Sequence, residues 1–237
     1  MEKGDVQMKR AVSILICFAM IFSLASCRGS EEKENPTAAT EAQPQYLCEA
    51  DSGNVRVISM SAADGIFVED PDKGKVEVRQ VASIIVQNMS DRMLANAELW
   101  FRVNENEYAT FIVQALPAGE KCVVMERTAR TLNKDDKYTL DSGLCNFAYS
   151  YSTPEDKNVE VKTEGSTIRI TNKTQSVLST RITYRYYMND MYYGGVAFSG
   201  EFKDIKPGET MEKTSRHFNN DCKIVGISDN LEENTTA

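Results

Sequence analysis

Ala97-Glu98-Leu99-Trp100-Phe101-Arg102-Val103 reads in a period of two. Successive side chains of an extended strand point to opposite faces, so Ala97, Leu99, Phe101 and Val103 are expected to face a core, and Glu98, Trp100 and Arg102 to face out. The flanking segments share this period. Upstream are Val55-Arg56-Val57, Val76-Glu77-Val78-Arg79 and Ser83 to Asn88; downstream are Tyr108 to Leu116 and Cys122-Val123-Val124-Met125. Asn104-Glu105-Asn106-Glu107 and Pro117-Ala118-Gly119-Glu120 punctuate them with turn chemistry. No helical period persists, and short strands at this spacing predict a sandwich or barrel.

The second half repeats the first. Val159-Glu160-Val161-Lys162 answers Val76 to Arg79, and Ile168 to Asn172 answers Ile84 to Asn88. Ser90 and Thr174 each lie two residues beyond those asparagines. Ile182 to Tyr187 answers the Trp100 strand, and Pro207-Gly208-Glu209 answers Pro117 to Glu120. The expected architecture is all-β, with two tandem antiparallel β-sandwich domains at 46–140 and 141–229 and a polar tail at 230–237. A strand ending in Asn and a downstream Pro-Gly-Glu loop around a central strand resemble the immunoglobulin- or fibronectin-like modules of bacterial surface lipoproteins, including the FxLYD type. The nearest analogue of that string here is Tyr186-Tyr187-Met188-Asn189-Asp190.

The N-terminus decides the compartment. Met8-Lys9-Arg10 precedes an apolar run from Ala11 to Leu24, shorter than the roughly 20 residues a spanning helix needs. It suits the h-region of a secretory signal. Leu24-Ala25-Ser26-Cys27 closes it and resembles the lipobox of bacterial lipoproteins. That resemblance implies a signal peptide at 1–26, cleavage before Cys27, and lipidation of its nucleophilic thiol. Two or three palmitate-like acyl chains then hold the protein at the outer face of the cell membrane, or at the outer membrane of a two-membrane envelope. Residues 27–45 lack apolar periodicity and read as a flexible tether.

Charge and composition exclude some functions. Residues 1–26 carry Lys3, Lys9 and Arg10 against Glu2 and Asp5, so the remainder is one unit more acidic than the −8 of the whole chain. No basic block with interleaved aromatics suggests nucleic acid as a partner. Cys48, Cys122, Cys145 and Cys222 can oxidise in an exported protein, with three pairings open, or stand as buried thiols. His217 is the only histidine, which argues against a histidine-based metal centre. Cys222 follows it at i+5, but a turn histidine is the better reading. Asp70-Pro71-Asp72-Lys73-Gly74 and Asp135-Asp136 read as solvated turns. No nucleophile elbow or phosphate-cradling loop occurs, so no catalytic residue, cofactor or metal is expected.

The residues expected to bind a partner are Trp100 and Arg102, outward in the first half, and Arg185, Tyr187, Tyr192 and Tyr193 in the second, where alternation turns Arg185 and Tyr187 outward and Tyr192 and Tyr193 cannot both be buried. Outward tyrosine supplies flat amphipathic area suited to a protein or glycan; the same rings also stabilise sheets as cross-strand pairs. The expected role is a non-catalytic binding or scaffolding module of the envelope. A solute-capturing lipoprotein of a transporter and an envelope hydrolase are the alternatives.

Overall fold

The computed structural model describes residues 46–70, 76–148 and 158–229. The expected signal peptide, Cys27, the tether and the tail lie outside them. The first half forms β1 (Cys48–Ala50), β2 (Val55–Phe67), β3 (Val76–Asn88), β4 (Met93–Val103), β5 (Glu107–Leu116), β6 (Lys121–Met125) and β7 (Tyr138–Ala148). The second forms β8 (Val159–Glu164), β9 (Thr167–Asn172), β10 (Leu178–Met188), β11 (Met191–Ile205), β12 (Thr210–Thr214) and β13 (Cys222–Asp229). The protein is all-β, with one short 3-10 turn at Asp51–Gly53 among the described residues.

The two halves use one wiring plan. In the first, β2-β3-β6 pair in one layer and β5-β4-β7 in another; in the second, β8-β9-β12 and β11-β10-β13 take the matching places. The predicted inward set of β4 is buried, with Ala97, Leu99, Phe101 and Val103 at most 1% exposed. These residues pack with Phe111 and Val113 of β5 against Val57 of β2, Ile84 and Val86 of β3, and Val124 of β6. Phe101 and Phe111 meet edge to face at 5.6 Å. Each such side chain contributes about 1.5–3 kcal/mol through burial. The second core joins Ile168 and Ile170 of β9 to Ile182, Tyr184 and Tyr186 of β10, Phe198 and Phe202 of β11, and Ile227 of β13.

The β7 strand contains position 141 and pairs with β4 along its whole length, Val103 opposite Tyr138 and Met93 opposite Ala148. The strand that the sequence reading divided at 140/141 therefore lies whole in the first half's sheet. A parallel contact then joins the edge of β6 to β11, with Tyr192 beside Cys122 and Tyr193 beside Val123. It fuses one layer of each half into a seven-stranded sheet, β1-β2-β3-β6-β11-β10-β13. The described residues belong to one compact unit.

Partners across a ladder share a face. Cys122, Tyr192 and Tyr187 turn toward the first core, whereas Tyr193 and Tyr186 turn toward the second. The two three-stranded layers thus cover opposite faces of the shared sheet.

Candidate functional site

The tyrosine-rich hairpin is the fusion joint, and this corrects the expected outward placement of Arg185. Arg185 is completely buried. Alternation along β10 does turn Arg185 away from the second core, but that other face is covered by the first half, not by water. Its Nη1 donates to the Gln114 carbonyl of β5 at 2.7 Å, its Nη2 donates to the Gly194 carbonyl, and its plane lies 5.4 Å from the Tyr192 ring centroid. Its buried Nε has no hydrogen-bond partner. Tyr192 is buried as well, which pushes its hydroxyl up to about 12. Tyr187 is half-buried, edge to face with Tyr192 at 5.1 Å and covered by the Lys223 ammonium 3.1 Å from its centroid. Tyr193 is half-buried and donates to the Ile66 carbonyl at 2.8 Å.

A bulge makes this joint. Between the pairs Tyr184–Phe198 and Tyr186–Tyr193, β10 has one residue, Arg185, where β11 has four, Gly194 to Ala197. The excursion presses onto the first half. Gly194 has φ +78°, and a Cβ there would stand 2.2 Å from Val68 Cγ2; a Cβ on Gly195 would stand 1.7 Å from the Ile112 carbonyl oxygen. Only glycine fits this approach.

Glu69, just past β2, closes the gap where β6 and β11 diverge. Its carboxylate accepts the Met125 amide of β6 at 2.9 Å and the Gly195 amide of β11 at 2.8 Å. Burial pushes this carboxyl up to about 7, against the opposing pull of those two amides and of Arg185. Cys122 lies beside Arg185, and burial raises its thiol too. Sequence reasoning missed Glu69, because neither the loop that carries it nor its spacing from Arg185 announces a contact made through tertiary structure.

Trp100 and Arg102 do face outward. They lie on the side of the β5-β4-β7 layer turned away from the first core, where rows run Tyr108–Arg102–Thr139, Thr110–Trp100–Ser142 and Ile112–Glu98–Leu144. Tyr108 and Leu144 are more than half exposed and Trp100 is partly exposed. Arg102 bonds the Tyr108 hydroxyl and the Asp141 carboxylate. Trp100, Tyr108, Asp141 and Ser142 line a shallow depression of about 350 Å³. The expected binding set is thus divided: Trp100 and Arg102 occupy an open face, while Arg185, Tyr187, Tyr192 and Tyr193 hold the halves together.

The remaining candidates are local. Cys48, Cys122, Cys145 and Cys222 each lie on a different strand, and none of the three disulfide pairings among them is formed. Burial raises Cys48 and Cys145 to about 11, which disfavours the reactive thiolate. Cys222 donates to the His217 carbonyl at 3.4 Å, and the His217 ring stacks on Phe198 at 4.4 Å. Asp136 accepts from Asn104 and Asn133 in its turn. The Asp70 loop runs beyond the described residues. Among the described residues no group of three or more His, Cys, Asp or Glu could hold a metal ion. Comparison with protein-family models, curated proteins and solved structures finds no match.

Proposed function

We propose that this protein is an exported lipoprotein, anchored through Cys27 at the outer face of a bacterial membrane, that acts without catalysis as a binding or scaffolding module. Each half is an immunoglobulin-like sandwich, and the two present their surfaces as one body at the end of the 27–45 tether. The single observation that carries the binding role is the open aromatic face of β4 and β5. Trp100 and Tyr108 leave ring surface uncovered beside the Arg102–Asp141 ion pair and the Leu144 side chain. Exposed rings set among paired polar groups suit an envelope protein or glycan. The lipobox supports the compartment, and the acidic balance argues against nucleic acid.

The test is crosslinked recovery from the native cells, comparing the wild type with a W100A/Y108A variant. Both positions are outside the cores, so the variant retains its unfolding midpoint. Recovery of one envelope component by the wild type and its loss in the variant supports the reading. Equal recovery by both forms rejects this face as the site.

A further inference from the structure

A second concavity lies against the joint, and the residues that make it differ from those of the aromatic face. It encloses about 320 Å³ between β5 and the bulge of β11. This is within the range of small-molecule sites, which concentrate where structural units meet. Glu69 contributes the carboxyl group, and Ile112, Met125 and Val196 supply apolar wall. Gln114 spends its side-chain oxygen on the Ala197 amide at 3.2 Å, which leaves its N–H groups for another acceptor. Arg127 is exposed at the rim; its backbone amide is held by the Thr110 carbonyl, and its guanidinium makes no ion pair among the described residues.

The charge balance identifies the class of ligand. Both carboxylate oxygens of Glu69 are taken by the Met125 and Gly195 amides, and Arg185 acts on it from within the joint, whereas Arg127 lines the cleft with no ion-pair partner among the described residues. A ligand cation would face the Arg127 guanidinium with the Glu69 oxygens already occupied, whereas an anion pairs with Arg127 and gains charge-assisted hydrogen bonds. We propose that this cleft binds a small aliphatic carboxylate, its anionic end on the Arg127 guanidinium and the Gln114 amide and its chain against Ile112, Met125 and Val196.

Binding is coupled to a proton. Glu69 is faced by Arg185 from β10, Cys122 from β6 and Tyr193 from β11, while Arg127 beyond β6 and the neutral Gln114 of β5 line the same cleft. Its carboxyl already titrates at about 7. An approaching anion raises it further, so the complex takes up a proton and affinity falls between pH 6 and pH 8. The ligand's own carboxylate stays ionised throughout that range.

The test uses hexanoate as probe and hexylamine as charge control, with the amide resonances of Gly195 and Met125 in the full-length protein as readout. Hexanoate shifts both resonances and hexylamine does not. R127Q, at an exposed position, weakens hexanoate at least about tenfold, equivalent to about 1.4 kcal/mol. Wild-type affinity is at least about fivefold higher at pH 6 than at pH 8, the size expected when the bound anion moves the Glu69 titration up by about one pH unit, and E69Q removes that dependence. Absence of any shift at hexanoate concentrations well above the millimolar range, equal binding of hexylamine, an R127Q affinity equal to wild type, or pH-independent wild-type binding overturns the proposal. None of these readouts involves Trp100 or Tyr108, so the site stands or falls separately from the aromatic face.

Discussion

Asn88 and Asn172 make the same hydrogen bonds in the two halves of the chain. Asn88 Nδ2 donates to the Arg92 and Leu116 carbonyls at 2.7 and 3.0 Å, and Asn172 Nδ2 donates to the Ser176 and Ile205 carbonyls at 2.7 and 2.9 Å. Each Oδ1 accepts from the residue two positions on, Ser90 or Thr174. Each backbone carbonyl accepts from the turn glycine, Gly119 or Gly208, both at φ +74°. Both side chains are completely buried. N88A and N172A are each expected to cost about 2–4 kcal/mol, because two buried carbonyls lose their donor. Urea unfolding checks this. The shared sheet further predicts one cooperative transition in both variants; two separate transitions would mean that the halves fold independently.

Much of this was legible in the sequence. The period of two in Ala97–Val103 is visible because that strand has one buried side. The Asn and Gly turns repeat because the same buried carbonyls need the same donors in each half. The joint was not legible, for three physical reasons. The four-for-one bulge at Gly194–Ala197 breaks the alternation that assigns faces. The face opposite the second core is covered by residues distant in sequence, so Arg185 reads as outward when it is buried. The edge strand β7 is exposed along most of its length, which blurs the period and with it the boundary at 140/141.

Glu69 makes stability depend on pH with the reverse of the usual carboxylate sign. Its carboxyl in the folded protein is raised to about 7 from 4.5. The unfolded chain therefore loses this proton first as pH rises, and stability falls from about pH 4.5 to pH 7 and then levels. The expected loss is about 3 kcal/mol. Carboxylates held low by lysines, such as Glu160 at about 2, act below that window. Unfolding free energies at pH 5 and pH 8 measure the effect, and E69Q should flatten it; a wild-type profile that rises across the window contradicts the assignment.

Arg185 is expected to be irreplaceable by lysine. Its planar fork serves Gln114 and Gly194 at once and its plane covers Tyr192, none of which an ammonium reproduces. R185K should cost about 2 kcal/mol or more, and R185A more than that, because two buried carbonyls lose donors and a cavity opens. Calorimetry provides the comparison. Neither variant is expected to reduce partner capture by protein that remains folded.

Gly195 tests the bulge. G195A drives a methyl group into the Ile112 carbonyl and should cost at least about 3 kcal/mol, within the range of severe core strain. Gly165 has open space where its Cβ would stand, at φ +56°, so G165A should show only the smaller cost of a strained turn, about 1 kcal/mol. Equal losses at the two positions would mean that β11 can move away from β5.

The binding role is tested most directly through Trp100, the only tryptophan in the chain and a member of the proposed face. Its emission is a built-in reporter that needs no label. Titration of the protein with fractionated envelope glycan and envelope protein from its own cells should shift or quench that emission saturably with one fraction, and Y108A should weaken the response. Unchanged Trp100 emission with every fraction, while crosslinking still recovers a partner, would place binding elsewhere and contradict the account.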